Sequence, residues 1–279
     1  MSTDKPSKLI IGIHGLANKP EKETLAKWWE AAMVEGLNKN SRVPVTSLDF
    51  LSVYWADVMY PAPDPKPDAY REAKPGDLKY YKDGWMDYLR SRVLDVGGDF
   101  LDFMKNKLDI DNTAELVLKG KLPDLYRYYK EEAVRKELRG RLAKAIIDNR
   151  NRRLMLVAHS MGTIIAYDVL RQLGKEDPTL SVEHFVTIGS PLGLPHVKHM
   201  IVKESPFIRT PSIVKRWTNL ADRRDPVAVD THLGDDYEEN YAGVKVKDDL
   251  VMNDWGGINH KSYGYLRTPE FSDLLKTFI

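Results

Sequence analysis

The segment at positions 154–162, with the sequence LMLVAHSMG, places the strongest constraint on how this chain can fold. Its first five residues form an uninterrupted apolar run, which predicts a strand buried on both faces, as in parallel sheets covered by helices. The next residues predict a tight turn with Ser160 at its apex, and the apolar pattern at 163–173 predicts a helix. This arrangement holds a serine hydroxyl at the start of a helix, where serine is also a favoured N-cap.

Similar apolar or β-branched runs alternate with helical patterns along the rest of the chain. Strands are predicted at 8–15, 45–55, 153–158, 182–188 and 215–220, with a short alternating segment at 244–247. Helices are predicted at 21–37, 124–149, 163–173 and 270–278. Such alternation is typical of the α/β class, in which a doubly wound, mostly parallel sheet carries helices on both faces.

The stretch between Gly15 and Ser160 is far longer than the roughly 60 residues that two strand–helix–strand units need. The excess coincides with 60–140, which begins with prolines at 61, 63, 65, 67 and 75 and continues with helical patterns at 80–96 and 100–107. We therefore expect a single domain, 1–279, in which 60–140 forms a mainly helical insertion or cap over the carboxyl-end face of the sheet. The alternative is a helical ornament remote from any site, because long insertions cost little stability.

Composition excludes several classes of function. The chain has 42 Lys+Arg and 41 Asp+Glu, too balanced a charge to bind nucleic acid by charge alone. It has no cysteine, so disulfides, thiolate nucleophiles and cysteine-bound metals are excluded. We find no run of roughly 20 apolar residues, the length of a transmembrane segment, and the run at 9–13 is too short for a signal peptide. These features predict a cytoplasmic protein and leave its oligomeric state open.

We expect neither a cofactor nor a metal. Phosphate-binding and dinucleotide-binding glycine motifs are missing from the sequence. The acidic residues between 222 and 236 match no calcium-loop spacing and are interpreted as a solvated loop.

The segment 154–162 resembles the nucleophile elbow of the α/β-hydrolase superfamily, and within it the lipase- and esterase-like branch. The resemblance extends from His14-Gly15 to His260, outside the insertion, and implies the α/β-hydrolase fold with Ser160 as the nucleophile. The elbow needs small residues where strand and helix pass closely. Gly162 meets this need, and Ala158 replaces the commoner glycine.

The resemblance also implies an oxyanion hole and a catalytic base. Backbone N–H groups of Leu16, after the first strand, and of Met161, after the nucleophile, would stabilise the oxyanion. Of the seven histidines, His260 lies in a glycine-rich loop before the last helix, which is the family's position for the base. His232 lies only seven positions after Asp225, which leaves no room for a strand between acid and base. His14 is interpreted as a residue that shapes its loop.

The resemblance places the acid between the nucleophile and the base. Asp225, before Pro226-Val227, is the preferred candidate, and Asp222 is the runner-up. The carboxylate that is not the acid is expected to initiate a turn and to pair with Arg223 or Arg224.

These residues together predict a serine hydrolase that cleaves a carboxylic ester through an acyl-enzyme. The expected partner is a small-molecule ester or a lipid. One alternative is an acyltransferase that uses the same triad, with an alcohol in place of water. A non-catalytic binding module on the same fold is the other alternative.

Overall fold

The computed structural model describes residues 6–82, 122–257 and 259–279, and a six-stranded sheet lies at their centre. The strands are β1 (Lys8–Ile13), β2 (Phe50–Val53), β3 (Arg153–His159), β4 (His184–Ile188), β5 (Trp217–Ala221) and β6 (Val246–Leu250). Their order is β2-β1-β3-β4-β5-β6, and every neighbouring pair is parallel. The prediction of a doubly wound, mostly parallel α/β sheet is confirmed.

Helices cover both faces of this sheet. They are α1 (Lys22–Gly36), which continues into a π-helical turn at Leu37–Ser41, α2 (Ala56–Met59), α3 (Pro123–Lys130), α4 (Glu132–Asp148), α5 (Met161–Glu176), α6 (Pro195–Glu204), α7 (Ser262–Leu266) and α8 (Pro269–Phe278). The predicted helix at 124–149 is two helices, because Glu131 between α3 and α4 has an extended backbone with φ −97° and ψ 100°.

Alternate residues of the central strands point into two separate apolar cores. Leu9, Ile11 and Ile13 of β1 pack with the buried faces of α4 and α5. Ile10 of β1 and Met155 of β3 point the other way and pack with α1, α7 and α8. Both faces of β1 and β3 are therefore buried, which explains why their sequences are apolar throughout.

The segment 60–140 lies partly outside the described residues, including 83–107, where most of two predicted helices fall. Residues 60–82 contain neither helix nor strand, as their prolines require. Helix α4 packs against β1, β2 and α5, so residues 132–140 lie in the helical layer on the sheet. A cap formed by the remainder of the segment stays a prediction. Among the described residues, no helix combines the length and the apolar character needed to span a membrane.

A buried arginine connects three segments on the α1 side of the sheet. Arg267, between α7 and α8, is 2% exposed and donates to Asp254 at 2.7 and 2.8 Å. It also donates to Glu35 of α1 at 3.1 Å and to the carbonyl of Arg71 at 2.6 Å. Since a buried charge is costly unless it is paired, removing either partner of these contacts should be strongly destabilising.

We expect Arg267→Ala to lower the free energy of unfolding by about 3 kcal/mol or more, because it leaves the Asp254 and Glu35 carboxylates buried with fewer partners. Urea denaturation would measure this change. Arg216→Ala is the control, because its side chain is 48% exposed and pairs with Glu183 at 3.2 Å. Its loss should be below about 1 kcal/mol. Equal losses for both variants would contradict the role given to Arg267.

Candidate active site

Ser160 lies at the carboxyl edge of the sheet, between the end of β3 and the first turn of α5. Its backbone has φ 53° and ψ −129°, a conformation that non-glycine residues rarely adopt. The Ser160 hydroxyl makes no helix-capping hydrogen bond. Its Oγ lies instead 2.9 Å from Nε2 of His260, so the N-cap interpretation of Ser160 does not describe this turn.

The turn around Ser160 packs very closely on the end of β1. A Cβ atom at Gly162 would lie 2.6 Å from the carbonyl oxygen of His14 and 2.8 Å from that of Ile13. A Cβ at Gly15 would lie 2.6 Å from the Cβ of Ser160. Both positions therefore require glycine, and the loop after β1 lies directly beside Ser160.

The structure brings His260 and Asp225 together with Ser160, although the three residues lie far apart in the chain. Nδ1 of His260 lies 2.8 Å from Oδ2 of Asp225. Because a carboxylate only accepts hydrogen bonds, this contact places the proton on Nδ1 and leaves Nε2 free to accept the Ser160 proton. Asp225 is 3% exposed, and the side chain of His260 keeps 15% exposure.

Two further donors hold the Asp225 carboxylate. The hydroxyl of Tyr265 donates to Oδ2 at 2.7 Å, and the backbone N–H of Val227 donates to Oδ1 at 2.8 Å. Burial and the nearby carboxylates raise the pKa of Tyr265 well above its ordinary value, so its hydroxyl stays protonated. Tyr265 could not be predicted from the sequence, because it lies 40 positions from Asp225 and belongs to no motif.

Asp222 makes a different set of contacts. Its carboxylate accepts hydrogen bonds from the backbone and guanidinium of Arg224 at 2.6 to 3.0 Å and from the N–H of Asn253 at 2.6 Å. The side chain of Asn253 in turn donates to the carbonyl of Lys261 at 2.9 Å. Asp222 therefore pairs with Arg224 and anchors the loop that carries His260.

Two other histidines support the site from buried positions. Nε2 of His159 donates to the carbonyl oxygen of His260 at 2.7 Å. Nε2 of His14 accepts the N–H of Trp55 at 3.0 Å, and the two rings stack with centroids 4.5 Å apart. Burial is the largest cause that lowers the pKa of both imidazoles well below the ordinary value, so both are neutral. His14 has the loop-shaping contacts expected of it.

The backbone groups of Leu16 and Met161 flank Ser160. Leu16 follows Gly15 and lines the cavity into which Ser160 opens. Met161 is the first residue of α5, where helical N–H groups have no partner within the helix. Their role as oxyanion donors stays a prediction.

The cavity beside Ser160 has a volume of about 590 Å³. Its walls combine aromatic and apolar side chains with charged ones. They include Leu16, Leu25, Trp29, Trp255 and Tyr263 together with Lys19, Asp64, Lys66, Asp68 and Lys261.

The acidic residues after β5 do not converge as one group. Within the described chain, carboxylate oxygens of Asp230, Asp235 and Asp236 come within 4.8 Å of one another, and Lys198 binds Asp236 at 2.6 Å. Asp222 and Asp225 are engaged in the contacts already described. The Asp230 group does not line the cavity beside Ser160.

Comparison with known proteins adds a family match. Residues 111–217 match the family described as "Alpha/beta hydrolase of unknown function (DUF900)". No curated protein matches the chain. An uncharacterized protein from Pseudomonas aeruginosa is similar at 13% identity, over 77% of this chain and 35% of its own length, with a TM-score of 0.26. This chain thus spans about a third of that protein's length.

The all-parallel sheet and the match over 111–217 confirm the predicted resemblance of this chain to the α/β-hydrolase superfamily. The family that it resembles over 111–217 has no assigned function, so the superfamily suggests hydrolase activity without naming a substrate.

We expect Gly162→Ala to lower the free energy of unfolding by about 2 kcal/mol, because a Cβ there meets backbone oxygens that cannot move aside cheaply. Gly140→Ala in α4 is the matched control, since nothing lies within 4 Å of a Cβ at that position. It should raise the stability by roughly 0.5–1 kcal/mol through helix propensity. Thermal or urea unfolding would compare the two variants. Equal effects would show that the approach of α5 to β1 is looser than described.

Proposed function

We propose that this protein is a serine hydrolase that cleaves a carboxylic ester through an acyl-enzyme. The observation that carries the proposal is the continuous set of contacts from Asp225 through His260 to Ser160, at 2.8 and 2.9 Å. Each contact joins a different segment at the carboxyl edge of the sheet, which is where ligands bind in α/β folds.

In this mechanism, Nε2 of His260 accepts the hydroxyl proton as Ser160 attacks the ester carbonyl. The proton then passes from His260 to the alcohol, which leaves, and an acyl group remains on Ser160. A water molecule then attacks the acyl group while His260 accepts its proton. His260 returns this proton to Ser160 Oγ, and the carboxylic acid is released. Asp225 orients the imidazole and stabilises its cation, and the N–H groups of Leu16 and Met161 bind the oxyanion.

The cavity supports a small-molecule ester or a lipid as substrate. Its volume of about 590 Å³ suits a ligand of moderate size, and Trp29, Trp255 and Tyr263 supply aromatic surface for an apolar group.

We expect a fluorophosphonate probe to label the wild type at Ser160, and Ser160→Ala to lose both labelling and hydrolysis of short p-nitrophenyl esters. Mass spectrometry of the labelled peptide would identify the site. Ser190→Ala is a control, because Ser190 is buried with its Oγ 2.9 Å from Thr163 Oγ1 and does not line the cavity. It should keep both properties. A wild type that is neither labelled nor active would overturn the proposal.

We expect Asp225→Asn to lower kcat by about 10³ to 10⁴, because an amide that donates to Nδ1 favours the wrong imidazole tautomer. Asp222→Asn should cost less than about tenfold in kcat, since it weakens the loop without changing the partner of His260. Both kcat values would be measured with one p-nitrophenyl ester, and thermal unfolding would check that each variant is folded. The larger kcat loss at Asp222 would reassign the acid.

A further inference from the structure

The loop after β1 contains a peptide unit that is held at both ends. Its carbonyl oxygen, that of Leu16, accepts a hydrogen bond from Nζ of Lys19. Its N–H, that of Ala17, donates to Oδ2 of Asp124 at 2.7 Å. Opposite charges thus hold the two poles of one peptide dipole, and charge-assisted hydrogen bonds of this kind are the stronger ones.

The backbone at this position needs external support. Ala17 has φ 71°, in the left-handed region that alanine rarely adopts. A residue in that region persists only where its surroundings fix it, and the cost is on the order of 1–3 kcal/mol. Nζ of Lys19 also donates to the carbonyl oxygen of Ala17 at 2.8 Å, so the ammonium group holds both peptide units around the strained residue.

Asp124 reaches this loop from a distant part of the chain. It lies in the first turn of α3, is 4% exposed, and receives the hydroxyl of Tyr60 at 2.8 Å. The positive end of the helix dipole favours a carboxylate at this position. Since α3 and the segment at Tyr60 fix the carboxylate, Asp124 can hold Ala17 in place.

We propose that Lys19 and Asp124 are positioning residues that orient the N–H of Leu16 toward the oxyanion. This inference rests on the proposed function. On one side of Leu16, Gly15 packs closely against Ser160. On the other side lies the peptide unit held by Lys19 and Asp124, and we call this pair of residues the clamp. With both neighbours fixed, the N–H of Leu16 keeps one direction before substrate arrives, and such preorganisation is the main source of oxyanion stabilisation.

The charge of Lys19 gives the clamp a pH dependence. Burial, followed by the nearby charge of Lys261, lowers the pKa of Lys19 to about 8, while Asp124 and Asp64 act in the opposite direction. The neighbouring His14 and His159 are neutral. The ammonium is therefore present at neutral pH and is lost as the pH rises through about 8. The neutral amine keeps two N–H donors, so the clamp weakens above that pH without disappearing.

The first test compares Lys19→Met with Lys22→Met, in which an exposed lysine of α1 is changed in the same way. We expect Lys19→Met to lower kcat for a p-nitrophenyl ester about tenfold or more, with KM changed less than about threefold, because the oxyanion contact forms mainly in the transition state. Lys22→Met should match the wild type. A wild-type kcat in Lys19→Met would overturn the role of Lys19.

The second test removes the charge from the other end of the peptide. Asp124→Asn keeps the size of the side chain and an oxygen that can accept from Ala17, and we expect it to lower kcat about fivefold or more. Tyr60→Phe removes a donor to Asp124 and leaves the contact with Ala17, so its loss should be smaller. If Tyr60→Phe lost more kcat than Asp124→Asn, the role of Asp124 would be overturned.

The pH dependence of kcat tests the charge of Lys19 even where Lys19→Met or Asp124→Asn folds poorly. Wild-type kcat should fall severalfold between about pH 7.5 and pH 9.5, and Lys19→Arg should remove that fall because arginine stays charged. An identical alkaline limb in Lys19→Arg would overturn the inference. Fluorophosphonate labelling separates the two proposals: a labelled wild type with unaffected clamp variants overturns the clamp alone, whereas an unlabelled wild type overturns the hydrolase and the clamp together.

Discussion

The first turn of α5 lies against the last carbonyls of β1, and the rest of the site depends on this close approach. It requires the missing side chain at Gly162, where a Cβ would lie 2.6 Å from the carbonyl of His14. The same approach brings the loop after β1 beside Ser160, so the serine and its neighbouring N–H groups are set by the packing of one helix on one strand. A loosened contact would move both together.

The central part of this arrangement could be predicted, because its signals are local in sequence. An apolar strand, a serine at a turn and an apolar helix follow one another within 154–173, and the small residue at 162 marks the close approach. Alternating strands and helices likewise predicted the parallel sheet. The bounds of a short edge strand are harder to predict. The strand predicted at 45–55 is limited to Phe50–Val53, since only these residues pair with β1.

Other features could not be predicted, because they depend on contacts between distant segments. Asp222 and Asp225 lie three positions apart in similar sequence surroundings. Only the fold shows that Asp225 faces His260 and that Asp222 faces Arg224. The contact of Asp124 with Ala17 spans 107 positions and has no sequence motif. The contacts of Tyr265 with Asp225 and of Asn253 with Asp222 could not be predicted either, because a buried hydrogen bond leaves no periodic pattern in the sequence.

The imidazole of His260 is held by polar contacts. The backbone carbonyl of His260 accepts a hydrogen bond from His159, and that of the next residue, Lys261, accepts one from the side chain of Asn253. The N–H of Asn253 in turn donates to Asp222. Asp254, in the same loop, pairs with Arg267 and so connects the loop to Glu35 of α1. Buried hydrogen bonds are directional, and each is costly to leave unmade, so such a network fixes one loop geometry more sharply than apolar contact does. The position of the imidazole and the stability of the fold therefore depend on the same buried groups.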